Sequence, residues 1–141
     1  MARSEVNNIY DAANAFRAPG LAAVTASGVI GNELALDKMV NVRPSSQRGE
    51  LGASKYKVVI AVESLATGGA TAETYTFSLE TGAAGAADTA VESVAVTEAG
   101  QYVMLIDADT LAKIDPDHEV LELNLTVAGT APSIRFAAWL L

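Results

Sequence analysis

The single histidine of this chain, His118, is the residue on which general acid–base or nucleophilic catalysis would depend. It follows two aspartates and a proline at the predicted start of a strand. A hydrolase would need it beside a nucleophile such as Ser93 or Ser133, in a pocket that holds both groups. Nothing in the spacing predicts that arrangement. The sequence favours a solvated histidine at a loop end and predicts no catalytic residue and no enzymatic activity.

Metal and cofactor sites are also weakly supported. The densest carboxylate group consists of Asp107, Asp109, Asp115 and Asp117. Oxygen-rich loops can hold calcium, but the spacing lacks the Asp-x-Asp-x-Asp-Gly loop and its closing Glu. The chain has no cysteine, which excludes disulfides, thiolate zinc sites and cysteine nucleophiles. We therefore expect solvated turn carboxylates, no metal and no cofactor.

Two glycine-rich stretches could suggest a phosphate-binding loop. The first contains Gly68 and Gly69, and the second contains Gly82 and Gly85. Neither is followed by a helix or by a Gly-Lys-Ser/Thr ending, so neither fits a nucleotide-binding motif. The first pair is predicted to lie in a hairpin, and the second stretch, residues 81–89, is predicted to be a flexible loop.

Short strand-like runs separated by turn residues make up most of the chain from Asn32 onward. The pattern predicts an all-β fold, a jelly-roll-like antiparallel β-sandwich. The segment 107–117 is predicted to hold one helical turn at 110–114, before Pro116, and to cross between the sheets. The predicted strands are residues 33–42, 56–63, 73–80, 91–97, 102–107, 119–127 and 133–141.

The first 31 residues are rich in Ala, Asn and Gly and show no sustained alternation. We therefore predict an extended N-terminal arm at 1–31 and a β-sandwich domain at 32–141. A short helix capped by Ser4 could form within the arm, with Tyr10 on its apolar stripe, and would end before Pro19. Because so short a helix is marginal in water, the arm needs a docking surface on its own domain or on a neighbour.

The last predicted strand, residues 133–141, is apolar on both faces. One face carries Ile134, Phe136, Ala138 and Leu140, and the other carries Arg135, Ala137, Trp139 and Leu141. Contiguous exposed apolar surface usually marks an interaction site. Two possibilities remain open for Trp139. It is either a core residue, if the strand end turns this face inward, or the anchor of an interface.

Other residues join Trp139 as interface candidates. Arg43 and Arg48 belong to the most basic part of the chain, which is either an ordinary surface loop or a contact with an acidic patch on a partner. Tyr10 and Phe16 are the arm's candidates. The predicted interface set is Trp139, Arg135, Leu141, Arg43, Arg48, Tyr10 and Phe16.

Composition limits the partners. The chain has 141 residues, enough for one domain plus an arm, and its formal net charge is −8. That charge has the wrong sign for neutralising phosphates, so nucleic acid is not an expected partner. No run approaches the ~20 apolar residues that span a bilayer, and the N-terminus lacks the pattern of a signal peptide. We expect a soluble, unsecreted protein without a membrane partner.

Several strand sequences resemble those of a known structural family. They are Lys57-Val-Val-Ile-Ala-Val-Glu63, Glu73-Thr-Tyr-Thr-Phe-Ser-Leu79, the crossover from Leu105 to Pro116, the stretch from His118 to Ile134, and the ending Ala138-Trp-Leu-Leu141. Together they resemble the capsid cement (decoration) proteins of tailed bacteriophages. The resemblance covers roughly residue 32 to the end.

The resemblance implies a jelly-roll-like sandwich on the outer surface of the virion, made in the host cytoplasm. Its implied partners are the major capsid protein, across neighbouring subunits, and further copies of itself. A homotrimer is favoured over a homodimer by analogy with quasi-threefold junctions. The alternative is a carbohydrate-binding β-sandwich, although the chain has one Trp and three Phe and no aromatic cluster in a loop.

Overall fold

The computed structural model describes residues 10–36, 55–115 and 118–141. Within these ranges the chain forms eight β-strands and one short helix, α1 (Ala108–Ile114), preceded near the N-terminus by a 3-10 turn at Ala12–Asn14. The strands are β1 (Ala15–Arg17), β2 (Gly28–Ala35), β3 (Lys55–Leu65), β4 (Thr74–Ala83), β5 (Ala86–Val96), β6 (Gly100–Asp107), β7 (Val120–Ala128) and β8 (Ile134–Leu140).

The strands form two four-stranded antiparallel sheets packed as a sandwich. Sheet A has the order β1-β8-β3-β6, and sheet B has the order β2-β7-β4-β5. The chain passes from one sheet to the other at every connection except that between β4 and β5, which are neighbours in sheet B. The predicted all-β antiparallel sandwich is confirmed.

The two glycine-rich stretches have the opposite roles to those predicted. The stretch with Gly68 and Gly69 joins β3 in sheet A to β4 in sheet B, so it is a crossover and not a hairpin. The stretch predicted as a flexible loop is the hairpin, because β4 continues to Ala83 and β5 begins at Ala86. Gly85, with φ of 78°, supplies the left-handed conformation that this two-residue turn needs. Ala and Gly give no clear alternation of apolar and polar side chains, so this part of the two strands was not predicted.

Helix α1 carries the predicted crossover after β6. The Asp107 side chain caps it by accepting a hydrogen bond from the Thr110 backbone amide at 2.7 Å. The helix ends before Asp115, and the chain then enters β7 in the other sheet. Both the helical turn and the change of sheet were correctly predicted.

The core lies between the sheets and follows the alternation of the strands. From β4, Tyr75, Phe77 and Leu79 point inward, and all three are buried. From β8, Ile134, Phe136, Ala138 and Leu140 face them. The rings of Phe77 and Phe136 meet edge-on with centroids 4.8 Å apart, a geometry worth about 0.5–1.5 kcal/mol beyond the buried area.

The N-terminal segment takes part in both sheets. β1 pairs with β8, and β2 pairs with β7, so the predicted domain boundary at residue 31 falls inside β2. The predicted arm helix is wrong over its described part: Ala12–Asn14 form a single 3-10 turn capped by Asp11, and Ala15–Arg17 form strand β1. The part of that predicted helix before Tyr10 lies outside the described residues. Three-residue β1 is too short to produce a recognisable alternation.

One end of the sandwich is held by two side chains of the β3–β4 crossover and β4. The Tyr75 hydroxyl donates to the Ala66 carbonyl at 2.8 Å and accepts from the Ser133 amide at 2.9 Å. The Glu73 carboxylate accepts from the amides of Gly69 at 3.0 Å and Ala131 at 3.3 Å. Both side chains therefore connect the β3–β4 loop to the β7–β8 loop.

Glu73 should make part of the stability depend on acid pH. The hydrogen bond from the Gly69 amide is the largest cause that holds its pKa below the ordinary 4.5, with partial desolvation opposing it. Because the folded pKa is the lower one, the carboxylate contributes stability above pH 4.5, and this is lost as the pH falls through the folded pKa. We expect Glu73→Gln to melt below wild type at neutral pH and to approach wild type under acid conditions. Glu98→Gln, an exposed glutamate in the β5–β6 turn, is the control. A neutral-to-acid melting series in which the Glu73→Gln difference stays constant would contradict this assignment.

Gly31 allows the N-terminal segment to lie against β2. It has a φ of 68°, and a Cβ at this position would overlap the Phe16 carbonyl oxygen. Both the conformation and the close approach of two backbones require glycine here. The position of Phe16, and through it β1, depends on this contact.

Gly31→Ala should therefore lower the free energy of unfolding by about 2 kcal/mol or more. Gly20→Ala shares the positive φ, at 80°, but a Cβ there meets nothing within 4 Å, so its loss should be smaller. Chemical denaturation of both variants measures the difference. Equal losses would show that strain alone, and not the overlap with Phe16, accounts for the glycine.

Candidate interaction surface

The outer faces of the two sheets differ in chemistry. The strands of sheet B contain Glu33, Glu80, Asp88, Glu92 and Glu122 and no Lys or Arg. The strands of sheet A contain Arg17, Lys55, Lys57 and Arg135, with Glu63 and Asp107 as their acidic residues. Within the described strands, the basic residues therefore belong to sheet A and most of the carboxylates belong to sheet B.

An apolar row crosses the outer face of sheet A from one edge to the other. Ala15 of β1 lies opposite Trp139 of β8, Trp139 lies opposite Val59 of β3, and Val59 lies opposite Val103 of β6. Directly opposite residues in a sheet point to the same face. All four strands thus contribute an apolar residue to one continuous line on the outside of the sandwich.

Trp139 is buried, but it is not part of the main core. It is 4% exposed and packs in a separate cluster with Val59 and Ala137 on the outer face of sheet A. The Tyr10 ring covers it edge-on, with ring centroids 5.4 Å apart. Its indole N–H has no hydrogen-bond acceptor within the described part of the chain. The sequence left open whether Trp139 is a core residue or an interface anchor. The structure shows it buried, as a core residue would be, but on the outer face of sheet A, where an interface anchor would lie.

The segment that begins at Tyr10, called the covering segment below, covers the β8 side of this face. The β6 side is exposed to solvent. Val103 is 40% exposed and Leu105 is 72% exposed, both on the outer face of β6. Beside them, Ala61 and Ala137 form part of the floor of a depression of about 240 Å³ bordered by Pro19 and Gly20. A side chain from a partner could enter this depression without moving the core.

The outer face of sheet B is hydrophilic. Asn124 of β7 donates to the carboxylates of Glu80 at 2.7 Å and Glu122 at 3.3 Å. Thr76 and Ser78 continue the polar surface along β4. This face has the composition of a solvated sheet surface, with Val29 at its edge strand as the exposed large apolar side chain.

The structure separates the predicted interface residues into groups. Tyr10 and Leu141 are half-buried and pack on the Trp139 cluster, and Arg135 is exposed on the same face. Phe16 lies in the main core at 3% exposure, so it offers no surface to a partner. It was misassigned because its strand was taken as part of an arm. Arg43 and Arg48 lie outside the described residues.

Arg17 is the residue of this region that sequence analysis missed. Its guanidinium lies 5.1 Å from the centroid of the Phe136 ring, its Nε donates to the Phe136 carbonyl at 3.2 Å, and its Nη2 donates to the Ala22 carbonyl. Partial burial lowers its pKa, but an arginine remains charged at neutral pH. The contacts with Phe136 fasten β1 to β8, and no local pattern could have revealed a partner 119 residues away.

His118 is buried and not solvated as predicted. It is 1% exposed, and its Nδ1 lies 2.9 Å from the Asp115 carbonyl oxygen, which makes Nδ1 the donor. Nε2 has no partner among the residues that the structure describes. Ser133 follows β7 at its far end, about 30 Å from His118 along a nine-residue strand, and Ser93 lies on β5. The histidine is not brought together with either serine.

Two of the four acidic residues, Asp107 and Asp115, have structural partners, and Asp117 lies outside the described residues. Asp107 caps α1, and Asp115 accepts a hydrogen bond from the Thr89 hydroxyl at 3.2 Å. Across residues 10–36, 55–115 and 118–141, no group of three or more His, Asp or Glu side chains could hold a metal ion. Over the same ranges, no helix is long and apolar enough to cross a membrane.

Comparison with known proteins adds no relative to this picture. No protein-family model matches the sequence, and no curated protein matches it significantly.

Tyr10→Ala should uncover Trp139. Loss of an edge-on aromatic contact costs about 0.5–1.5 kcal/mol in addition to the lost buried area, so the covering segment should detach more readily. Trp139 is the only tryptophan, which makes its fluorescence a direct reporter. We expect stronger acrylamide quenching and a red-shifted emission in Tyr10→Ala, and values near wild type in Tyr10→Phe. Unchanged quenching in Tyr10→Ala would show that other residues cover the indole.

Proposed function

We propose that this protein is a capsid cement protein of a tailed bacteriophage. It binds the outside of the head, contacts neighbouring subunits of the major capsid protein and opposes their separation by the packaged genome. The observation that carries this proposal is the apolar row on the outer face of sheet A, which ends in the exposed side chain of Val103 beside the exposed Leu105, on a face that also carries Lys57 and Arg135. Contiguous apolar surface of this kind is typical of interaction sites.

The shape of the molecule supports the proposal. Two packed sheets form a rigid body, and eight strands in the order found here support the jelly-roll description that the sequence resemblance implies. A rigid body that touches two subunits binds them multivalently, so contacts of ordinary size, about 1,600 Å² in total, suffice. Sheet A then faces the shell, and the acidic sheet B faces the solvent at the outer surface of the virion.

The segment around Tyr10 gives the docking surface a second component. It already lies on the outer face of sheet A, so a partner meets both the strand surface and this segment. By analogy with quasi-threefold junctions of capsids, a homotrimer is the assembly favoured on the head, with a homodimer as the alternative. The role requires no reactive centre and no cofactor.

Carbohydrate binding, the alternative expectation, has no comparable support. Sugar sites favour exposed aromatic side chains beside amides and acids. None of the aromatic residues in the described ranges is exposed. Binding in a glycan array, combined with no binding to heads, would reverse this choice.

Co-sedimentation with phage heads that lack this protein tests the proposal. We expect binding to expanded heads and little binding to unexpanded heads. Ala61→Gln should reduce occupancy at least tenfold, because the longer side chain fills the depression on sheet A without entering the core. Ala95→Gln, the same change at an exposed position of β5 in sheet B, should bind like wild type. Absence of wild-type binding to either kind of head, or equal loss in both variants, would contradict the proposal.

A further inference from the structure

β6 is the one edge strand of the described sandwich that lacks protection against pairing with another strand. Edge strands expose unpaired backbone groups, and proteins usually protect them by short length, bulges, charges or proline. β6 ends sheet A, spans eight residues, and pairs with β3 through eight consecutive residues without a register shift. Its residues from Gly100 to Ile106 include no charge and no proline.

The other three edges have such protection. β1 is three residues long and carries Arg17. β2 has a register shift between Ile30 and Leu34 and carries Glu33. β5 has two register shifts along its pairing with β4 and carries Asp88 and Glu92. The contrast shows that the open edge is a local property of β6 and not a general feature of the fold.

Exposed apolar side chains occur on the same strand. Leu105 is 72% exposed and Val103 is 40% exposed, and they are two of the four large hydrophobic residues exposed in the described ranges. Val103 ends the apolar row on the outer face of sheet A, and Leu105 lies next to it on the same face, opposite Lys57 of β3. A strand added beyond β6 would extend this row and cover them.

We infer that β6 pairs with β6 of a second copy of this chain, antiparallel and about a two-fold axis. The strand is self-complementary, because antiparallel pairing centred on Met104 sets apolar residues opposite apolar residues along its uncharged stretch. Each chain carries a net charge of −8, so two copies repel unless they meet at a neutral surface. β6 is the edge that provides one. An isologous contact of this kind closes as a dimer, so the inference selects the homodimer over the homotrimer that the analogy with capsid junctions favours.

The geometry of self-pairing is favourable. If Met104 lies opposite Met104 of the second copy, Val103 lies opposite Leu105 of that copy on the outer face. The inner face then pairs Tyr102 with Ile106 of the second copy. The two Asp107 residues are about 20 Å apart, beyond the Debye length at physiological salt. The result is a continuous eight-stranded sheet with apolar pairs on both faces.

This dimer forms without phage heads, so the inference does not rest on the proposed function. Sedimentation of the purified chain over a dilution series should give twice the 14.5 kDa of one chain. Leu105→Lys and, independently, Val103→Lys should give one chain mass, since a lysine on each strand places like charges together. Val29→Lys is the matched control, because Val29 is 52% exposed on edge strand β2 of sheet B, and it should remain dimeric.

Far-UV circular dichroism confirms that each variant is folded before its mass is compared. A wild-type chain that stays monomeric at the highest concentration, or that forms a trimer, would overturn the inference. So would a dimer that survives both lysine substitutions, or one that Val29→Lys also dissociates.

Cysteine cross-linking tests the register, because the natural chain has no cysteine. Mixing a Val103→Cys variant with a Leu105→Cys variant should give a mixed disulfide faster than either variant cross-links alone. Equal rates in the mixture and in the separate variants would refute the antiparallel pairing centred on Met104.

Discussion

A strand that is apolar on both faces cannot leave either face in water, and β8 places this constraint on the whole molecule. Its inner side chains, among them Ile134 and Phe136, are covered by sheet B. Its outer side chains, Ala137 and Trp139, need a second cover, and burial of one large apolar side chain is worth about 1.5–3 kcal/mol. β8 therefore lies between β1 and β3, with the Tyr10 segment above it. The position of the N-terminal segment follows from the composition of the C-terminal strand.

The cover is incomplete, and this gives the molecule two different sides. Tyr10 protects the β8 part of the outer face, while Leu105 on β6 remains exposed. The opposite side of the sandwich carries carboxylates and hydroxyls, such as those of Glu80 and Ser78. The exposed apolar side chains of β6 and these carboxylates thus lie on different sheets. A protein that sits on a large assembly needs one side for its partner and one for the solvent.

Alternation was sufficient to predict the fold class and most strands. β3, β4, β6, β7 and β8 carry large apolar residues at every second position, and the helical turn of the crossover was predicted at residues 110–114, before Pro116. Two elements were not predicted from the sequence. β1 has only three residues, and the β4–β5 hairpin consists largely of Ala, Gly and Thr, so neither shows an alternation of large apolar and polar side chains. The environment of His118 and the core position of Phe16 depend on contacts between distant segments. The outer-face role of Trp139 was visible in the pattern, but its cover by Tyr10 was not.

We propose that the outer face of sheet A is the surface that meets the phage shell. The decisive measurement is cryo-electron microscopy of expanded heads decorated with this chain, because the position of Trp139 distinguishes the two faces of the sandwich. We expect sheet A, with β3, β6 and β8, to face the major capsid protein and sheet B to face outward. Density with sheet B against the shell, or heads that carry no such density, would contradict it.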